Sequence, residues 1–147
     1  NMNKLFTIAL ASLAFIACAN AQVTAEVVLQ TNSSWNGELL PNFVTDQPLV
    51  TVLKINVPPY TQLGWHEHPM INVGYMTKGQ LKVTAEDCVD GVVPQNCESI
   101  ILNPGDAIAE VVNTYHYGES LCDPVEIIVF YAGAAGMPLS IPKPVTP

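Results

Sequence analysis

Beyond residue 22 no stretch of ten or more residues carries an apolar period of 3.6, while turn-forming clusters recur about every 8–12 residues. That excludes helical bundles and alternating α/β folds and leaves a sandwich or barrel of short strands. Val23 to Gln30 is rich in β-formers, and Asn36-Gly37 closes a polar turn suited to positive φ. Leu49 to Val57 follows, with Leu53, Ile55 and Val57 on one side and Lys54 and Asn56 on the other, until Pro58-Pro59 stops it. Thr61 to His68 predicts a strand ended by Pro69. Met70 to Thr77 places Met70, Asn72, Gly74 and Met76 on one face and Ile71, Val73, Tyr75 and Thr77 on the other. After the Lys78-Gly79 turn come Gln80 to Ala85, Glu98 to Leu102, the turn Asn103-Pro104-Gly105-Asp106, and Ala107 to Val112. Gly118 to Pro124 reads as a polar turn, and Val125 to Ala132, apolar nearly throughout, as a strand buried on both faces. The proline-rich end, with Pro138, Pro142, Pro144 and Pro147, is expected to be extended and packed on a neighbour. The expected class is all-β, in one domain.

The first 21 residues read as a targeting segment. Lys4 supplies the positive charge, Leu5 to Ala17 a mostly apolar run, and Ala19-Asn20-Ala21 a small-x-small cleavage site. The run is too short to span a bilayer as a helix, and nothing later is longer. The expectation is a secreted or periplasmic chain over 22–147. The alternative is a lipid anchor at Cys18, since Phe15-Ile16-Ala17-Cys18 loosely follows a lipobox.

Charge restricts the partners. The chain has 13 acidic residues against five lysines, no arginine, and a formal net charge of −8. Nucleic-acid binding rests on neutralising phosphates with Lys and Arg, so it is excluded as a function. The lack of Arg, the usual bidentate clamp, also disfavours phosphorylated or strongly anionic substrates. A neutral or weakly polar small organic molecule fits better.

Cleavage would leave Cys88, Cys97 and Cys122 in a compartment that permits disulfides. Cys88 and Cys97 flank a short loop, Val89 to Asn96, and a bridge there would be worth ~2–3 kcal/mol. Three reduced thiols are the competing reading. No C-x2-C pair marks a zinc site.

The chain has three histidines. His66 and His68 stand i and i+2, so an extended backbone sends both imidazoles out of one face. His116 lies far along the chain, and a sandwich can bring it opposite the pair. Three neutral imidazoles make a site for a divalent transition ion, with Fe, Zn, Ni, Cu and Mn the candidates. The competing reading is three hydrogen-bonded histidines with no ligand role.

The segment from Tyr60 to Gly79 resembles the first motif of the cupin family, G-x5-H-x-H-x3,4-E-x6-G. His66, His68 and Gly79 match it; Tyr60 stands at the first glycine and Asn72 at the glutamate. The second motif, G-x5-P-x-G-x2-H-x3-N, is matched by Gly105 and His116, with Val111, Asn113 and Ser120 at its Pro, Gly and Asn. Asn113 is a mild change, because Asn tolerates the left-handed backbone. The resemblance covers about residues 49–133 and implies a double-stranded β-helix, or jelly-roll barrel, with metal ligands His66, His68 and His116. It also makes a homodimer paired through its sheets an expectation, with Trp65 able to pack in such an interface.

With Asn72 in place of a carboxylate, three neutral ligands leave the ion its full charge and leave positions open. Asn72 is read as a neutral oxygen ligand or a hydrogen-bonding neighbour, with a solvent-facing amide as the equal alternative. Glu67, between the histidines, should face away. Glu110 would share the face of His116 as an acceptor beside the metal, although a surface carboxylate is the commoner role for its type. Met70, Met76, Tyr115 and Phe130 are expected to line the pocket. If the chain is an enzyme, open positions on a three-histidine ion suit a dioxygenase on a small organic substrate. A metal-dependent isomerase or lyase, or a non-catalytic metal- or ligand-binding module, is the alternative.

Overall fold

The computed structural model describes residues 25–43, 47–86 and 99–145. The expected leader over 1–21, the anchor at Cys18 and the Cys88–Cys97 bridge all lie outside the described residues. Cys122 is exposed and makes no bridge among the described residues.

The described residues hold nine strands and no α-helix: β1 Pro48–Val57, β2 His66–Glu67, β3 Ile71–Lys78, β4 Leu81–Ala85, β5 Ile100–Leu102, β6 Ala107–Ala109, β7 His116–Ser120, β8 Val125–Ala134 and β9 Ile141–Pro142. They form two antiparallel sheets, ordered β1-β8-β3-β6 and β5-β4-β7-β2-β9. Apart from the β4–β5 pair within one sheet, successive strands alternate between the sheets, as in a jelly roll, and the two inner faces enclose the core.

Register sets the contents of each level of the sandwich. On the first sheet Thr51, Tyr131 and Asn72 are cross-strand neighbours. Leu53, Val129, Gly74 and Ile108 form the next inward row. On the second sheet His116 sits beside His66 and Ala85, and Gly118 beside Val83. The polar groups thus occupy one level and aliphatic groups the next. Below them Met76, Leu81, Val125 and Ile127 close the core, with Met76 fully buried. Each such side chain contributes ~1.5–3 kcal/mol of burial.

Turns are held by left-handed residues where the chain reverses. Gly79 has φ +71°, and a Cβ there would clash with the Pro124 carbonyl oxygen. The two positions where the motifs usually carry glycine keep that conformation without it: Tyr60 has φ 51° and Asn113 φ 56°. Asn bears this readily; Tyr does so at a cost of ~1–2 kcal/mol.

Several expected elements differ. Residues 25–30 are exposed and form no strand. Only His66 and Glu67 of the Thr61–His68 stretch are strand, preceded by a bridge from Gln62 to Glu119. Gly118 to Ser120, read as turn, belong to β7, because they pair with Leu81 to Val83. β8 is not buried on both faces: Phe130 is 41% exposed beside Val52 at 63%, since no described element covers that outer face. The proline-rich end packs on its own chain, with β9 pairing β2 and the Lys143 N–H donating to the Trp65 carbonyl. Trp65 likewise packs within the chain, edge-on to Tyr117 at 4.6 Å.

Candidate metal centre

The three histidines meet. His66 enters from β2, His68 from the bend just after it, and His116 from the start of β7, directly across from His66. Ring centroids stand 5.0 Å apart for His66–His68, 4.7 Å for His66–His116 and 4.9 Å for His68–His116. One nitrogen from each lies within 4.8 Å of the others. Two donors ~2.1 Å from a shared ion span at most ~4.2 Å. The imidazoles are therefore gathered to within a small side-chain adjustment of shared coordination, and could hold a metal.

Their hydrogen bonds decide which nitrogen is offered. Nδ1 of His66 meets the Gly64 carbonyl at 2.7 Å, Nδ1 of His68 the Leu139 carbonyl at 2.7 Å, and Nδ1 of His116 the Thr114 carbonyl at 2.9 Å. A carbonyl only accepts, so each Nδ1 carries a proton and Nε2 is the nitrogen each ring has to offer a metal. Backbone acceptors of this kind orient metal-ligating imidazoles. Burial pulls the pKa of His68, and that of His116, down to about 4, so both are neutral near pH 7. Three imidazole nitrogens gathered at one place are the donor set that Zn²⁺, Fe²⁺, Ni²⁺ or Cu²⁺ takes.

Asn72 is buried at 3% exposure and lines the same cavity, so the solvent-facing alternative is wrong; its Nδ2 is 3.4 Å from the Met70 carbonyl. Glu110 is no surface carboxylate either. It is buried on the cavity wall, because Asn72 O accepts from its backbone N–H and carries its face inward. Its Oε1 accepts from Trp35 Nε1 at 2.8 Å and from the Val111 N–H at 3.1 Å. Its Oε2 stands 3.9 Å from His116 Nε2. Burial raises its pKa, against the opposing effect of the Trp35 hydrogen bond.

None of the four expected pocket residues lines the cavity. Met70 and Met76 sit on the predicted inner face, but at levels filled by core packing. Tyr115 lies outside under Lys143, whose Nζ is 5.4 Å from its ring. Phe130 faces outward, and its neighbour Tyr131 takes the inward place, 5.5 Å from the His68 ring. Parity carried the signal: Glu126 forms ion pairs at the surface with Lys54 and Lys78, so Ile128 and Phe130 share its outward face and Tyr131 points in. Burial, and then the Glu110 carboxylate, raise the Tyr131 pKa.

The cavity measures about 80 Å³. Beyond the polar level it is lined by Ile55, Leu63, Val83, Ile108 and Val129, with Gly74 and Gly118 on facing sheets. That is room for several waters or one small organic molecule.

No protein-family model and no curated protein sequence matches the chain. Solved structures do. A structure of the DMSP lyases RdDddP and RnDddQII superposes with a TM-score of 0.53 at 21% identity, over 65% of this chain and 44% of that one. A cupin-like protein from Thermotoga maritima (tm1010) superposes at 0.50 and 16% identity, over 64% of each chain.

The chain has the cupin fold.

The polyketide cyclase RemF from Streptomyces resistomycificus is similar at a TM-score of 0.51 and 14% identity, over 69% of this chain and 65% of that one. The chain spans less than half the length of the DMSP lyase it matches. At these identities the likeness establishes the architecture. In this chain the histidine site stands on its own geometry.

Proposed function

We propose that this cupin is a metalloenzyme that holds one divalent transition ion at His66, His68 and His116 and acts on a small neutral organic molecule. The observation that carries the reading is the set of three Nδ1–H donors, each tied to a backbone carbonyl, which leaves three Nε2 lone pairs converging. A bound ion would supply Lewis acidity to an oxygen of the ligand. The protein's part is to present the ligand. The aliphatic level below the histidines takes an apolar portion and excludes water, and the Tyr131 hydroxyl and the Asn72 amide offer hydrogen bonds at the polar level. Among the described residues no lysine lines the cavity and Glu110 does, so an anionic ligand would meet a group of its own sign. These features support rearrangement or elimination chemistry that needs no oxygen, the kind of reaction implied by the names of the lyase and cyclase among the compared structures. The dioxygenase reading rests on the same open ion positions, and oxygen uptake by Fe(II)-loaded protein separates the two.

Elemental analysis of purified protein beside a His68→Ala variant tests the site. About one equivalent of metal in the first and near none in the second is the expected result. Equal metal content in both would end the reading.

A further inference from the structure

Among the described residues Glu110 is the one acidic side chain on the cavity wall. Its two oxygens have different surroundings. Oε1 accepts from two N–H groups, Trp35 Nε1 and the Val111 backbone. Oε2 faces Nε2 of His116 at 3.9 Å. That nitrogen bears a lone pair, because the ring's proton is donated from Nδ1 to the Thr114 carbonyl. A separation of 3.9 Å is too long for a proton to bridge the pair as a direct hydrogen bond. It is within the ~4.2 Å that two donors to one ion can span. Two electron-rich atoms turned toward each other in a buried pocket repel, and their repulsion is strong where the dielectric is low. The arrangement becomes favourable when positive charge lies next to both.

Glu110 is also aimed from outside the barrel. The hairpin around Gly37 (φ +91°) is closed by a bridge between Ser33 and Leu39 and brings Trp35 onto β6. The Trp35 N–H donates to the Ala109 carbonyl at 3.0 Å and Ser34 Oγ to the Glu110 carbonyl at 3.0 Å. Together with the indole N–H, these bonds fix both the backbone and the carboxylate of Glu110.

We propose that Glu110 supplies the negative charge of the metal centre, its Oε2 turned to the ion, and that Trp35 is the positioning residue that holds it there. The inference rests on the three-histidine reading and adds a charge that the three imidazoles lack. It also gives the N-terminal hairpin a role: the segment buttresses the ion's anionic neighbour.

Zn²⁺ titration of chelator-treated full-length protein tests it. Glu110→Gln keeps the shape and the acceptor for Trp35 but removes the charge, and should weaken Zn²⁺ binding about 10–100-fold. Trp35→Phe should weaken it less, in the same direction, and Asn72→Ala should weaken it less than Glu110→Gln. The chain has two tryptophans. In a Trp65→Phe background Trp35 alone fluoresces, and its emission should shift on Zn²⁺ addition, with the shift lost in Glu110→Gln. Wild-type binding of about one equivalent with Glu110→Gln within twofold would overturn the inference and leave the histidine site standing. Wild-type protein that binds no Zn²⁺ would overturn both. If Glu110→Gln fails to fold by circular dichroism, the other two variants decide: unchanged affinity in Trp35→Phe together with no Trp35 emission shift in Trp65→Phe refutes the role.

Discussion

Gathering His68 and His116 away from water makes the metal-free protein sensitive to mild acid. In the unfolded chain each imidazole has its ordinary pKa of 6.5; in the fold each is lowered by burial to about 4. Between those values the unfolded state binds more protons, so stability present above pH 6.5 is lost as pH falls and the loss is complete near pH 4. A shift of ~2.5 units at ~1.36 kcal/mol per unit is ~3.4 kcal/mol for one imidazole. The pair does not count twice in full, because part of the His68 shift is repulsion from a protonated His116. A span of ~4–6 kcal/mol is expected, a large share of the ~5–15 kcal/mol that holds a domain together. Glu110 works against it. Its folded pKa is raised, so the fold takes up that proton before the unfolded chain does and regains some stability as pH falls toward 4.5. Urea unfolding of chelator-treated protein, followed by tryptophan fluorescence at half-unit steps from pH 7 to 4, measures the net slope. The midpoint should fall steadily below pH 6.5, and a His116→Gln variant should lose about half of the fall. A midpoint that stays flat from pH 6.5 to 4 would show that the imidazoles are not buried together, and would refute the reasoning.

Two other outcomes follow from the backbone. Tyr60→Gly, at an 80% exposed position with φ 51°, should stabilise the protein by ~1 kcal/mol; Gly79→Ala should cost ~2–4 kcal/mol, combining the left-handed penalty with the clash on the Pro124 carbonyl. Thermal melts of the two variants should move in opposite directions. Truncation after Pro138 removes β9 and the Leu139 carbonyl that accepts from His68, and should lower Zn²⁺ affinity about 10–100-fold while circular dichroism still shows the sandwich; affinity equal to the full chain's would contradict the orienting role of that carbonyl.

What could be read in advance follows from how local each cause is. The all-β class, the faces of β3 and the turn at Gly79 depend on alternation and on residues with special backbone freedom, and these are written at adjacent positions. The choice of Phe130 over Tyr131 failed on a single step of parity: in a strand this apolar only Glu126 marks the outer face, and one charged residue is a thin signal. Glu110 was misjudged because residue type favours solvent, whereas its burial depends on Trp35, 75 positions away. The short β2 and the pairing of the tail were missed for the same reason, since β9 makes sense only once β2 exists as its partner.

The acceptors of the three imidazoles show how far a motif alone can build such a centre. Gly64 and Thr114 each lie two residues before the histidine they orient, so the local chain path supplies both carbonyls. The acceptor for His68 is 71 residues downstream, on the segment that pairs with β2. Two of the imidazoles are therefore set by the chain leading into them, and the third only once the tail has docked. Folding of the tail and the forming of a usable donor set are one event at His68. The centre is thus a property of the closed sandwich: the same three histidines on an isolated β2–β7 pair would keep two of their orienting bonds and lose the third.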